Sequence, residues 1–299
     1  MRVIVLGSAA GGGVPQWNCR CPVCSLAWSG DARIKPRTQS SLAATADGEA
    51  FVLINASPDL RQQIVCEPAL QPRGPGRSSP IQACVLTNAE IDHIAGLLTL
   101  REGQAFTLYA ASATLSALAA NPIFGVLAAE CVRREPIALG TRFNPAPGLW
   151  FNAFALPGKV ALWQEGGGVA IGGEREESVA LELRSGNKRL IYAPSCAKIT
   201  SALRERINGA DALLFDGTTF VDEELISLGL TQKSARRMGH TPMAGADGSI
   251  ARLAGLQVGR KIFIHLNNSN PVLIEDSPER RTVEASGWEV AYDGMEIVL

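Results

Sequence analysis

Within seven residues, Thr87-Asn88-Ala89-Glu90-Ile91-Asp92-His93 offers two carboxylates, an amide and an imidazole. These residues follow the apolar run 81–86, which reads as a buried strand, and precede Ile94-Ala95-Gly96-Leu97-Leu98, which reads as the start of a helix. A strand-to-helix turn held by a rigid scaffold is a place where chemistry collects. Asp92 and His93 are adjacent oxygen and nitrogen donors and could anchor a metal. The same residues also suit a plain helix N-terminus, with Asn88 or Glu90 as cap and His93 on the surface. The other histidines shift that balance, for the chain has only three. His240 lies in the turn signal Met238-Gly239-His240-Thr241-Pro242. His265 closes the apolar run Lys261-Ile262-Phe263-Ile264, ahead of Leu266-Asn267-Asn268-Ser269-Asn270-Pro271. A lone histidine is more often structural, but two at strand ends stand on the rim where α/β sheets bind ligands.

A second constellation is Cys19-Arg20-Cys21-Pro22-Val23-Cys24. Three thiolates at this spacing can wrap one tetrahedral zinc, with a fourth donor from elsewhere. Free thiols are the alternative, but structural cysteines rarely crowd into a polar loop. The expectation is a structural zinc in a loop at about residues 17–26. Cys66, Cys84, Cys131 and Cys196 are scattered and read as small apolar core residues. The run Gly7-Ser8-Ala9-Ala10-Gly11-Gly12-Gly13 lacks the Gly-Lys-Ser/Thr closure of a P-loop and leads to Pro15 rather than a helix. It reads as a loop that needs positive φ or close backbone approach.

The elements that must position these groups alternate between strand and helix. Strands are expected over 2–6, 51–54, 81–86, 106–110, 149–155, 179–183, 189–193, 211–215 and 261–265. Helices are expected over about 94–101, 112–120, 124–132, 197–208, 250–257 and 278–285. Glu165–Gly173 reads as a hairpin turn and Gln71–Pro80 as a Pro- and Gly-rich loop. With 299 residues, 46% of them hydrophobic, and no clean linker, one α/β domain over 1–299 is the economical reading. A net charge of -1 gives no basic field for nucleic acid or for anionic lipid. No apolar stretch approaches the roughly 20 residues of a membrane span. The first residues do not read as a signal peptide. With seven cysteines, an odd number, reduced thiols in the cytoplasm are expected.

The glycine-rich segment after the first strand, the cysteine trio, Asn55-Ala56-Ser57-Pro58-Asp59 and Thr87–His93 together resemble the metallo-β-lactamase superfamily. More narrowly they resemble the family assigned to synthesis of pyrroloquinoline quinone (PQQ), and the likeness runs along essentially the whole chain. The resemblance implies a four-layer αβ/βα sandwich with metal at the rim between two central sheets. The superfamily's His-x-His-x-Asp-His signature falls on Asn88, Glu90, Asp92 and His93, so the two leading histidines are missing. A further metal histidine would fall near Gly158-Lys159 and is absent, and the bridging aspartate falls at or near Ser195. His265 matches the last histidine. His240 matches a proton-transfer histidine of nuclease and phosphodiesterase members, and Asp216 an acidic residue they carry. In related phosphodiesterases the fourth zinc donor lies at the position of Asn268, where an amide is a weak ligand.

Without those imidazoles the two-metal bridging hydroxide of the hydrolases is in doubt. Asp92, His93 and His265 remain, and two imidazoles with one carboxylate suit non-haem Fe(II) with open positions. Glu90 and Asn88 are expected near enough to coordinate or orient water, and His240 and Asp216 to line the substrate pocket. The family resemblance implies iron- and O2-dependent hydroxylation of the tyrosine ring of a Glu–Tyr-derived PQQ precursor. A carrier of PQQ or its precursor, on a scaffold that no longer hydrolyses, is the alternative of a different class; residual hydrolysis is a third. The expected partners are the precursor and O2, with neither nucleic acid nor membrane, and a homodimer is compatible with the chain.

Overall fold

Apolar residues occupy both faces of the central strands, so the sheets must be covered on both sides. In the computed structural model, which describes residues 1–165 and 172–299, this produces two seven-stranded mixed sheets. One sheet contains β1 (Arg2–Gly7), β2 (Ser41–Thr45), β3 (Phe51–Ile54), β4 (Ile81–Val85), β5 (Phe106–Ala110) and β6 (Val132–Pro136). The other contains β7 (Arg142–Ala146), β8 (Leu149–Gly158), β9 (Gly173–Ser185), β10 (Lys188–Ala193), β11 (Ala212–Asp216), β12 (Arg260–Ile264) and β13 (Glu289–Val290). The last strand, β14 (Glu296–Val298), returns to the first sheet and pairs antiparallel with β1.

Alternation along the strands builds three apolar layers. Val3 and Val5 of β1 meet Leu190 and Tyr192 of β10, Leu214 of β11 and Ile264 of β12 between the sheets. Ile4 and Leu6 point the other way, toward Leu60, Leu97 and Leu118. Ile191, Leu213, Phe215 and Phe263 face outward on the second sheet, against Leu203, Val283 and Trp288. Helices outside two sheets that share one core make the four-layer sandwich.

Each of the nine expected strands falls on a strand, but the helices are less regular. Ser112–Ala119 and Pro278–Ala285 are helical as expected, and the expected 197–208 shortens to Ser201–Ile207. The expected 250–257 shortens to Ser249–Arg252. The expected 94–101 is a 3-10 segment, Ala95–Leu100, after a single turn Ile91–Ile94. Within it Gly96 passes so close to the Ser57 carbonyl that a Cβ would lie 2.1 Å from its oxygen. The expected helix 124–132 is a correction. Pro122–Val126 forms a 3-10 turn and Val132 opens β6, so Phe124, Leu127 and Val132 reach the same core without a helix. The expected hairpin turn at Glu165–Gly173 lies largely outside the described residues. Cys66 is exposed and Cys131 half-buried, so only Cys84 and Cys196 of the scattered cysteines are core residues. The glycine loop behaves as read: Gly12 and Gly13 have φ of 95° and 68°, and a Cβ on Gly7 would sit 2.0 Å from the Gln39 carbonyl oxygen. Among the described residues no helix is long and apolar enough to cross a membrane.

Candidate metal centre

Strand direction brings the donors together. β3, β4 and β5 run parallel in one sheet and β10, β11 and β12 run parallel in the other, so their C-terminal ends share one rim. Asp92 and His93 follow β4, Ser195 follows β10, Asp216 ends β11 and His265 follows β12. His265 has a φ of 60°, an uncommon left-handed conformation for a side chain of this size. Its neighbours hold it there: Leu266 N donates to the Ser8 carbonyl and Ala10 N to the Leu266 carbonyl. Asn55, at φ 61°, uses its side-chain oxygen to accept from Thr87 N at 2.9 Å and Thr87 Oγ1 at 3.1 Å, which fixes the start of the metal turn.

Asp92, His93 and His265 are buried, and their ligand atoms lie within 4.8 Å of one another. Hydrogen bonding on the far side of each imidazole decides which nitrogen faces the cluster. His93 Nδ1 lies 2.7 Å from Asn88 Oδ1, which also accepts from Glu90 N, so Nδ1 carries the proton. The lone pair is then on Nε2, which is buried with no hydrogen-bond partner. Thr218 has one hydroxyl proton, and Asp216 Oδ1 at 2.7 Å takes it. His265 Nδ1, 3.0 Å from the same Oγ1, must therefore donate, leaving a lone pair on Nε2. That nitrogen is 3.0 Å from Asp92 Oδ2, and His93 Nε2 is 3.9 Å from the same oxygen. Three electron pairs converging in a buried place require a cation, and this donor set fits one.

Without a metal, a proton must meet the same need. Burial disfavours the His265 imidazolium, but the bond to Asp92 and its charge outweigh burial and raise His265 above its ordinary value. Burial drives His93 down to about 4 despite Asp92. Burial alone would raise Asp92, but the two imidazoles hold it well below the usual carboxylate range.

His240 stands beside this cluster, 5.5 Å ring to ring from His265 and stacked at 25°. Its Nδ1 lies 2.9 Å from Asp216 Oδ2, so Nδ1–H donates and Nε2 is the basic nitrogen. Asp216 is a correction to the expectation that it lines the pocket. It is fully buried, and it accepts from Cys196 N, Thr218 N, Thr218 Oγ1 and His240, which leaves it no face on the cavity. Burial disfavours its charge, but His240 and His265 keep it ionised and low. A cavity of about 390 Å³ opens over the centre, and its wall includes Glu90, Ser195, His240, Lys159, Lys233 and Asn267. Asn88 directs its oxygen at His93 Nδ1, so it orients that imidazole and does not add a donor to the cluster. Glu90 lies toward the rim, 3.5 Å from Lys159 Nζ.

Cys19, Cys21 and Cys24 are buried together, and the Asn268 side chain completes their surroundings. Its amide nitrogen lies 3.2 Å from Cys19 Sγ, 3.7 Å from Cys21 Sγ and 3.2 Å from Cys24 Sγ. The amide thus occupies the fourth face of the trio, three residues beyond His265. The fit to a metal rests on the three thiols, since the amide nitrogen of Asn268 faces them as a hydrogen-bond donor and offers no lone pair; Cys21 also opens the helix Pro22–Trp28.

Sequence reasoning missed Thr218, whose hydroxyl touches Asp216, His240 and His265. It also missed the Lys159–Glu165–Lys233 group. A threonine two residues past a strand end carries no motif. The lysine at 159 was legible only as a missing histidine.

Two central sheets with donors on their common rim define a member of the β-lactamase superfamily, and a model of the "Beta-lactamase superfamily domain" matches residues 51–266. The fold alone is shared with a diphosphatase of the PhnP family, at 23% identity and TM-score 0.67 over 99% of this chain and 97% of that one. Full-length similarity is narrower. Coenzyme PQQ synthesis protein B of Methylorubrum extorquens (strain PA1) is 56% identical over 299 residues, and that of Xanthomonas oryzae pv. oryzae (strain MAFF 311018) 51% over 300, with all of each chain covered. A crystal structure of Zn(2+)-bound PqqB from Methylobacterium extorquens superposes with TM-score 0.99 at 56% identity, again over the whole of both chains. The chain belongs to the coenzyme PQQ synthesis protein B family.

Proposed function

We propose that the chain acts in PQQ synthesis as an oxygenase that hydroxylates the tyrosine ring of a Glu–Tyr-derived precursor. The observation that carries this reading is the convergence of Asp92 Oδ2, His93 Nε2 and His265 Nε2 beside an open cavity. Two imidazoles and one carboxylate hold Fe(II) while leaving positions for small molecules, and Fe(II) so bound supplies O2 activation. The names of the full-length relatives support the place in PQQ synthesis. The balance is one ring C–H and one O2, with two electrons and two protons from an external reductant, giving a ring C–OH and water.

The chain's own residues prepare this reaction. Asn88 and Thr218 fix the tautomers of His93 and His265. Asp216 holds His240 with its basic nitrogen available, so His240 can take the phenol proton as the ring enters. Cys19, Cys21 and Cys24 would hold a structural zinc, and Asn268, donating its amide N–H to their sulfurs, would tie the segment after His265 to it. The test is anaerobic loading with Fe(II), followed by O2 and a tyrosine-containing precursor. The expected result is O2 uptake with a product one oxygen atom heavier, and none when zinc replaces iron. Equal turnover with zinc would refute the oxygenase; saturable precursor binding without O2 uptake would establish the carrier.

A further inference from the structure

Above the metal centre, two lysines share one carboxylate. Lys159 Nζ donates to Glu165 Oε1 at 2.7 Å, and Lys233 Nζ donates to Glu165 Oε2 at 3.3 Å. The ammoniums therefore straddle a single carboxylate, one on each oxygen. Lys159 is well placed to be a fixed element. Its side chain is 11% exposed, its ammonium also meets Glu90 Oε1 at 3.5 Å, and its stem lies against the backbone of Gly239, where a Cβ would come within 3.3 Å. Gly239 precedes His240, so the ammonium is tied both to the metal turn and to the segment that carries the base.

Charge on the cavity wall indicates what would enter. The wall carries Lys159 and Lys233 beside Asp92, Glu90 and Glu165, two positive charges against three negative before any proton on His265 is counted. With a divalent metal on Asp92 and the imidazoles neutral, the sum is one positive. The loaded cavity thus favours an anion, and a pair of ammoniums already spaced on a carboxylate selects its shape.

We propose that Lys159 and Lys233 form a carboxylate clamp for the substrate, and that Glu165 is the internal occupant the substrate displaces. Resting on the phenol-hydroxylase reading above, this makes the substrate a phenol that carries a carboxylate, held so that the ring reaches the metal while the acid stays on the lysines. Neutral phenols of the same size would bind without the clamp and be poorly retained.

Equilibrium binding to the zinc-loaded protein tests this without turnover. The probes are 3-(4-hydroxyphenyl)propanoate, its amide, and glutarate, which has carboxylates and no phenol. The acid should bind at least ~10-fold more tightly than the amide, as expected for a charge-assisted hydrogen bond that the amide cannot make. Lys159→Met with Lys233→Met should remove that preference, which separates the clamp from carboxylate binding to the metal itself. Glu165→Gln should tighten the acid and leave the amide unchanged. Circular dichroism and metal content verify each variant, and Glu165→Gln alone suffices if the methionine pair does not fold. An acid-to-amide ratio that survives in the double variant, or an acid affinity unmoved by Glu165→Gln, overturns the clamp. If glutarate binds through the lysines but the phenol adds nothing to the acid's affinity, the clamp stands and the phenol reading fails.

Discussion

Replacing Thr218 by valine removes one oxygen and one proton from the point where Asp216, His240 and His265 meet, with little change in volume. Thr218 is buried, and its Oγ1 lies 2.7 Å from Asp216 Oδ1 and 3.0 Å from His265 Nδ1. Asp216 is not stranded by the change, because Oδ1 keeps Thr218 N at 3.1 Å and Oδ2 keeps Cys196 N and His240. His265 loses the side-chain acceptor that fixes its tautomer. One buried N–H left without its partner costs about 1–3 kcal/mol. At this chain length that is a drop of a few °C in Tm, on the order of 2–4 °C per kcal/mol. The larger effect falls on the metal. An imidazole whose far nitrogen is no longer oriented loses on the order of 10–100-fold in metal affinity. Competition titration against a chelator measures this directly, with Thr218→Ser as the conservative control that restores the hydroxyl. If Thr218→Val binds metal as tightly as the parent, His265 is not presented through Thr218 and the tautomer argument for the whole cluster is wrong.

Other perturbations separate the roles within the rim. His93→Ala should abolish metal binding at the rim and O2 uptake while circular dichroism shows the fold intact; full O2 uptake would refute the centre. His240→Ala should keep iron while slowing turnover by ~10²–10⁴-fold, and loss of iron would make it a ligand instead. Cys21→Ser should release zinc and lower Tm before it alters chemistry at the rim, and unchanged zinc by elemental analysis would show the site misplaced. Metal affinity at the rim should fall as pH falls below the raised pKa of His265, by up to about tenfold per pH unit, because His265 must lose a proton that Asp92 holds on it. His93, held down to about 4, stays neutral until much lower pH and adds nothing to the slope above that, so a two-proton dependence above about pH 5 would contradict the assignment.

The sequence made the strands legible because each is an apolar run short enough to cross a sheet, and burial on both faces left few other uses for such runs. The helices were less legible because their apolar spacing does not say how the backbone closes. Phe124, Leu127 and Val132 satisfy a helical pattern yet reach the core from a 3-10 turn and a strand edge. β2, β6, β7, β13 and β14 passed unread, and two of them are no longer than three residues. β6, β7, β13 and β14 close the sheet ends and β2 is paired between β1 and β3, so each depends on a pairing that is a property of the assembled sheet.

The centre divides along the same line. Asp92, His93 and His265 could be read because scarce residue types stand at strand ends. What suits them to hold a metal is the set of bonds on their far sides, and those come from residues with no such signal. Asn88 sits on His93 Nδ1 and Thr218 on His265 Nδ1, each forcing a lone pair inward. Asp216 shows the same logic from the opposite direction. By type it passes for a ligand or an acid in the pocket, but four donors already claim its oxygens, so its work is done through His240. The atoms offered to a metal are thus chosen by their neighbours' hydrogen bonds, and a change such as Thr218→Val should weaken metal affinity without touching any atom that would bind it.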